Sequence, residues 1–326
     1  MSKVFVLGGT GFLGYYTTLE LLRRGYQVKT IALPPLPADG LLPDEVDVTL
    51  GDLFAMSDAE ITALLADCEG VMYAAGADER VVPEAPALSF YYHANVLPTQ
   101  RLARLAKAAG VKHFVVFGSY FAEFAMRLRD TLPTLADQPY PNTRLLQEQV
   151  AFAEGEGGMA VTSLRLPYIF GTMPGRMPLW QMFVEQIRGK AVFPALPGGT
   201  AMVTVEQVAE AAVGAMINGK HRQTFAIGDT NMTYHDFYQM IVDALGQTAT
   251  TQIPVLDYET VRPAYEQIDA ATAAAGKEHG IHTAMVGQTQ ALKLYIDPAD
   301  TKQVLGIRDH DVRAAIEESL AKCIKG

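Results

Sequence analysis

The chain has 326 residues, 49% of them hydrophobic and 19% charged, with a formal net charge of −10. That length bounds about two domains, or one large α/β domain with an appended lobe, and the absence of any long basic run excludes the footprint of a nucleic-acid binder. No apolar run reaches the ~18 residues of a membrane-spanning helix, no leader-like segment precedes the first strand, and Cys68 and Cys323 lie too far apart for a metal or redox pair. A cytoplasmic protein with two free thiols and no membrane contact is therefore expected.

The first element carries the most information. Val4-Phe5-Val6-Leu7 reads as a strand, Gly8-Gly9-Thr10-Gly11 as a tight loop, and Phe12–Arg24 as an amphipathic helix with Gly14 in its first turn. Gly8 permits the turn, Gly11 lets the backbone approach a pyrophosphate, and Gly14 lets the helix pack closely on the strand. The N–H groups of such a helix start attract phosphate. Further strands are expected at Val28–Ala32, Val46–Leu50, Gly70–Ala75, His113–Gly118 and Ala160–Leu166. Helices are expected between most of them, at Ala59–Ala66, Ser89–Ala109 and Arg144–Ala153, with Gly25 and Gly110 just past helix ends. This alternation predicts a Rossmann-type doubly wound parallel sheet, with the ligand crevice at the carboxyl ends of the strands.

The second half is less regular. Helices are expected at Leu179–Arg188, Val205–Ile217, Tyr234–Leu245 (capped by Thr233) and 258–275, whereas Gly276–Thr289 reads as a loop. The expected organisation is a dinucleotide-binding domain over 1–165 and a smaller mixed substrate lobe over 166–326, interleaved with the first.

Several residues carry candidate chemistry. Asp52-Leu53 follows the third strand, where an acid either accepts from an adenine amine or is an ordinary turn residue. Ala74-Ala75-Gly76 ends the fourth strand with small residues that admit a ligand to the backbone or simply mark a turn. Tyr140 and Arg144 are four apart and share a face if a helix begins by Pro141. A phenol beside a fixed cation has its ionised form favoured, so the pKa of Tyr140 is expected to fall, making it a candidate general acid/base. Ser119 or Tyr120, at the end of the fifth strand, is placed to hydrogen-bond the same substrate oxygen. Arg165, Arg176, Arg188 and Lys190 are weaker candidates for an anionic substrate, and the seven histidines form no metal-binding pattern.

With these residues in place, the sequence resembles the extended short-chain dehydrogenase/reductase superfamily, the NAD(P)-dependent epimerase/dehydratase-like group. Gly8–Gly14 has its Gly-x-x-Gly-x-x-Gly form, Gly51-Asp52-Leu53 looks like its adenine-contacting turn, and Val71–Ala75 resembles its fourth strand with Tyr73 in a histidine place. Asn95-Val96 with Thr99 and Phe225–Gly228 are similar to further landmarks. The resemblance implies NAD or NADP as cofactor and hydride transfer at a carbonyl or alcohol carbon of a small molecule or nucleotide sugar. Tyr140 is then the acid/base, Arg144 stands where relatives carry lysine, and Ser119 (or Tyr120) is the third catalytic group. The implied cofactor contacts are Gly8, Thr10, Gly11, Phe12, Leu13, Gly14, Asp52, Leu53, Ala74, Ala75, Gly76, Tyr140, Arg144 and Pro167. No metal is implied. Ala32-Leu33-Pro34-Pro35 after the second strand carries neither the acid of NAD selectivity nor the arginine of NADP selectivity, and Lys29 is an unconvincing substitute. A homodimer through the helices near 95–109 and 144–155 is also implied. The replaced lysine leaves open a second reading, an NAD(P)-binding regulatory or interaction protein without redox turnover.

Overall fold

Alternating apolar residues of the first strand set two cores on opposite faces of one sheet. In the computed structural model, which describes residues 2–325, Val4 and Val6 pack on one face and Phe5 and Leu7 on the other. Complete burial of side chains of this size contributes roughly 1.5–3 kcal/mol each. The first half runs β1 (Lys3–Leu7), α1 (Phe12–Arg23), β2 (Gln27–Ala32), β3 (Asp47–Leu50), α2 (Asp58–Leu65), β4 (Gly70–Tyr73), α3 (Ala87–Tyr91), α4 (Leu97–Ala108), β5 (His113–Ser119), α5 (Tyr120–Arg127), α6 (Pro139–Gly155) and β6 (Ala160–Leu166). The second half runs β7 (Tyr168–Phe170), α7 (Gln181–Ile187), β8 (Gly199–Thr204), α8 (Val205–Asn218), β9 (Gln223–Ala226), β10 (Thr230–Thr233), α9 (Tyr234–Ala244), α10 (Tyr258–Ala274), α11 (Thr283–Gln290), β11 (Lys293–Leu294), α12 (Ala299–Leu305) and α13 (Val312–Lys325).

Seven parallel strands form the main sheet in the order β3-β2-β1-β4-β5-β6-β9. The order reverses between β1 and β4, so this Rossmann-type sheet has its switch point where the glycine loop leaves β1. Helix α1 packs on α8, while α4 packs on α2 and α6. A second sheet is built on β8, with β10 antiparallel to it and β7 and β11 parallel. Its aromatic core includes Phe170 stacked on Trp180, ring centroids 4.3 Å apart. Strand β9 returns to the main sheet beside β6, so the chain beyond residue 165 contributes to both layers.

Three expectations change. The segment Gly276–Thr289, read as a loop, contains α11. The start of α11 is capped from a distance, because the Asp269 carboxylate of α10 accepts from the Thr283 and Ala284 amides at 2.7 and 2.9 Å. The helix expected over Ser89–Ala109 is two helices joined by a π-helical turn at Tyr92–Val96, which places Asn95 inward. Helix α6 starts at Pro139 rather than Arg144, because Pro139 and Pro141 occupy first-turn positions where no intrahelical N–H is needed. No helix among the described residues is long and apolar enough to cross a membrane.

Candidate active site

The glycine loop is shaped by what lies against it. Gly8 has φ +87°, and a Cβ there would sit 2.6 Å from the Ala74 carbonyl oxygen. A Cβ on Gly14 would sit 2.0 Å from the Gly8 carbonyl oxygen, so the α1 backbone can pack this closely only without a side chain. Gly11 donates its amide to Gly8 O at 2.8 Å, and Gly9 donates to Thr30 Oγ1 at 3.2 Å. Gly11 caps α1 with no side-chain hydrogen bond and no acid occupies the first turn. The N–H groups beside Thr10, Phe12 and Leu13 are therefore left for an anion.

Other candidates line the same carboxyl edge. Asp52 caps the 3-10 turn Leu53–Ala55 by accepting from the Phe54 amide at 2.9 Å. Leu53 is buried in the core with Ile31 and Ile61, and the exposed neighbour is Phe54, 44% accessible. Ala74, Ala75 and Gly76 leave the β4 ladder beyond Tyr73. At Gly76 (φ +137°) a Cβ would lie 2.5 Å from Asn95 Oδ1 and 3.6 Å from Arg144 Nη1. Asn95 closes this loop, accepting from the Ala77 amide at 2.8 Å and donating to the Ala77 carbonyl at 3.0 Å. Pro167 is buried just past β6, on the same edge.

Ser119, Tyr140 and Arg144 come together at the ends of β5 and α6, and are 5%, 4% and 6% exposed. Ser119 caps α5, accepting from the Phe121 amide at 3.2 Å, which leaves its own hydroxyl proton to donate. The Tyr140 ring meets Tyr91 edge-on at 5.5 Å and Phe121 at 6.3 Å, and its amide donates to Gly280 O at 2.7 Å. Arg144 lies over the Tyr140 ring, 5.7 Å from its centroid, and donates from Nη2 to the Phe117 carbonyl, while its buried Nε has no partner among the described residues. Tyr120, the alternative to Ser119, is buried between Phe121 and Tyr168.

The expected fall in the Tyr140 pKa does not occur. Burial pushes the phenol up to about 12; Arg144 and the Ser119 hydroxyl pull it down, and Glu79 and Asp78 push it further up. Desolvation outweighs the cation because the ring is enclosed by Tyr91, Phe121 and the Gly280 segment. Tyr140 therefore keeps its proton at neutral pH and is set up as a proton donor.

The remaining charged candidates fall elsewhere. Arg165 is held by Glu123 and Glu148, each at 2.7 Å. Arg176 is exposed on a turn packed against Pro37, and Arg188 and Lys190 are exposed beyond α7. Lys29 is engaged by Asp67 at 2.9 Å and Leu64 O at 3.2 Å, below the sheet edge that a ribose would meet. No group of acids, histidines and cysteines suited to a metal occurs among the described residues. A surface groove between α9 and α13, lined by Met240, Arg313 and Leu320, includes none of the site candidates. Sequence reasoning missed Glu79 and Tyr91, which come to the site on the loop and helix after β4, and the segment 276–282, which closes over it; no local motif marks them.

A parallel sheet with a bare helix start and a glycine cradle at its switch point defines a dinucleotide-binding α/β protein. The family model described as NAD dependent epimerase/dehydratase family matches residues 4–228, and the chain belongs to that family. It is 31% identical over 118 residues to a putative dihydroflavonol 4-reductase of Synechocystis sp., covering 36% of this chain and only 33% of that protein. It is 26% identical over 297 residues to a dTDP-6-deoxy-L-talose 4-dehydrogenase (NAD(P)(+)) of Kitasatospora kifunensis, covering 83% of this chain and 88% of that one. The crystal structure of gox2253 superposes with a TM-score of 0.77 at 20% identity, covering 100% of this chain and 98% of that chain.

The site's own residues fit the family's nicotinamide dinucleotide. The uncapped α1 start suits a pyrophosphate, Gly76 lies exposed past β4 on the same edge, and the orphaned Arg144 Nε offers a buried donor.

Proposed function

We propose that this protein is an NAD(P)-dependent oxidoreductase acting on a carbonyl or alcohol carbon of a small molecule or nucleotide sugar. The observation that carries this reading is the convergence of Ser119, Tyr140 and Arg144 on the carboxyl edge that also holds the glycine loop. When bound, the nicotinamide supplies or accepts the hydride. Tyr140, protonated at neutral pH, donates its proton to the substrate oxygen as negative charge grows on it during reduction. The Ser119 hydroxyl donates a hydrogen bond to the same oxygen. Arg144 holds positive charge beneath the phenol, easing the proton's departure and stabilising the tyrosinate left behind. Asp52, Gly8–Gly14, Ala74–Gly76 and Pro167 position the dinucleotide along the strand ends from β3 to β6. The same reading takes the protein as cytoplasmic, divided near residue 165, and homodimeric through α4 and α6, which pack side by side on one sheet face.

A second reading, a dinucleotide-binding regulatory protein without turnover, draws on the engagement of Arg144 Nη2 by the Phe117 carbonyl and on the near-complete burial of Tyr140. NADH and NADPH titrations followed by turnover of a carbonyl panel separate the two. The first reading expects turnover in the wild type and a loss of about 100-fold or more in Tyr140→Phe. Tight dinucleotide binding with no turnover of any carbonyl would support the second.

A further inference from the structure

We propose that Arg165 is a positioning residue for the reaction: from β6 it holds the Glu148 carboxylate away from Arg144, one helical turn back on α6, and so leaves the Arg144 guanidinium directed at Tyr140. This role rests on the oxidoreductase reading above and deepens it.

Arg144 and Glu148 are four residues apart on α6, and both are buried. Side chains on a helix lean toward its N-terminus, so a carboxylate at 148 would reach back to a guanidinium at 144 if nothing else held it. Both side chains approach the same end of β5. Arg144 Nη2 donates to the Phe117 carbonyl, and a Cβ on Gly118 would lie 3.6 Å from Glu148 Oε1. The pair nevertheless does not form: the buried Arg144 Nε has no partner among the described residues. Glu148 is held from β6 instead. Its Oε1 accepts from Ser163 Oγ at 2.9 Å and Arg165 Nε at 3.0 Å, and its Oε2 accepts from Arg165 Nη2 at 2.7 Å.

A planar guanidinium fork matches both oxygens of a carboxylate, which is what fixes Glu148 so firmly. The remaining Arg165 nitrogen, Nη1, donates to Glu123 of α5 at 2.7 Å, and Glu123 also pairs with Arg127. Without Arg165, Glu123 therefore keeps a cation, whereas Glu148 becomes a buried acid with no cation, a costly state that drives it toward another partner. The open Nε of Arg144 supplies one. A carboxylate on Arg144 would cancel positive charge that acts on the phenol, and burial of Tyr140 would meet less opposition. The other groups facing Tyr140 are the Ser119 hydroxyl at the end of β5, Asp78 and Glu79 after β4, and Tyr91 on α3. Asp78 is engaged by Arg80 at 2.9 Å. On the segment before α11, His282 pairs with Glu278 at 3.1 Å and His279 with Thr272 at 3.0 Å. None of these contacts involves Arg165, so replacing it changes the charge at the phenol through Glu148.

The test follows oxidation of a panel of alcohols with NAD or NADP against pH in wild type, Arg165→Met, Glu148→Gln and the double variant. Oxidation needs the ionised phenol, so its alkaline limb reads the charge that reaches Tyr140. Arg165→Met is expected to move the limb about one unit to higher pH. Adding Glu148→Gln is expected to return it to the wild-type position, and Glu148→Gln alone to leave it there. In an Arg144→Ala background, Arg165→Met is expected to move the limb no further. A limb that stays with wild type in Arg165→Met, that Glu148→Gln does not return, or that moves equally without Arg144 overturns the role of Arg165 alone. Should Arg165→Met not fold, Arg165→Gln, which keeps hydrogen-bond donors but no charge, takes its place with the same outcomes. A wild type that binds NAD or NADP yet oxidises no alcohol overturns the oxidoreductase reading, and the role of Arg165 with it.

Discussion

Tyr140 lies edge-on to Tyr91 with the Arg144 guanidinium over its ring, so burial and charge act on its proton in opposite directions. Burial prevails, and the phenol is held at about 12. Reduction, which needs the protonated phenol, should then be insensitive to this group across neutral pH. Alcohol oxidation, which needs the ionised form, should climb with pH toward the alkaline range. Arg144→Ala removes the cation that opposes burial, so the alkaline limb of alcohol oxidation should move to higher pH, whereas Arg144→Lys, which keeps a charge, should move it less. A pH profile of the Ala variant that coincides with wild type would remove Arg144 from this electrostatic role. The Tyr140–Arg144 pair was legible in the sequence because four-residue spacing on a helix is local. The direction of the pKa was not, because Tyr140 is enclosed by side chains of α3 and α5 and by the backbone of the segment before α11, up to 140 residues away.

The segment between α10 and α11 contributes to the site although it holds none of the candidate catalytic side chains. Gly280 accepts from the Tyr140 amide, and a Cβ at Gly280 would lie 2.5 Å from Tyr91 Oη. Gly280→Ala should therefore displace Tyr91, whose Oη reaches the Asp78 and Val81 carbonyl oxygens at 3.0 and 2.6 Å, loosening both that turn and the packing on Tyr140. The expected result is a fall in kcat of about tenfold with NADH affinity little changed, since the glycine loop lies on another strand end; a 1 Å misplacement of a catalytic group can cost more than this. Unchanged kcat would show that Tyr91 does not position Tyr140. At this scale the first strand, its loop and α1 were readable because apolar alternation, glycines and helix periodicity all agree. Helix α11 was not readable, because Asp269 caps it from the neighbouring α10 rather than from the preceding residue. The short strands of the second sheet gave no period either: β7 has three residues and β11 two.

At the scale of the whole molecule, buried phenols tie stability to alkaline pH. Burial raises Tyr16, Tyr73 and Tyr140 to about 12, and raises Tyr91, Tyr120, Tyr168, Tyr234 and Tyr238 as well. In the unfolded chain these groups ionise near 10. Above that pH the unfolded state sheds protons that the folded state still holds, so the stability they preserve at lower pH is lost progressively from pH ~10 through ~12. Tyrosinate absorbance and circular dichroism should change together in that window; early ionisation of most tyrosines without loss of structure would contradict the buried assignment. The parallel sheet and the family were legible from motif order along the chain, whereas the seventh strand, β9, and the enclosure of the site by two distant loops exist only in the folded whole.

Whether Tyr140 serves hydride transfer is decided by the transfer of deuterium from reduced, nicotinamide-labelled NADH or NADPH to a carbonyl product, followed in single turnover for wild type and Tyr140→Phe at equal dinucleotide occupancy. Label is expected in the wild-type alcohol product, with a rate lower by about 100-fold or more in the variant. Bound dinucleotide that passes no label to any carbonyl, or equal rates in the two proteins, would contradict that role.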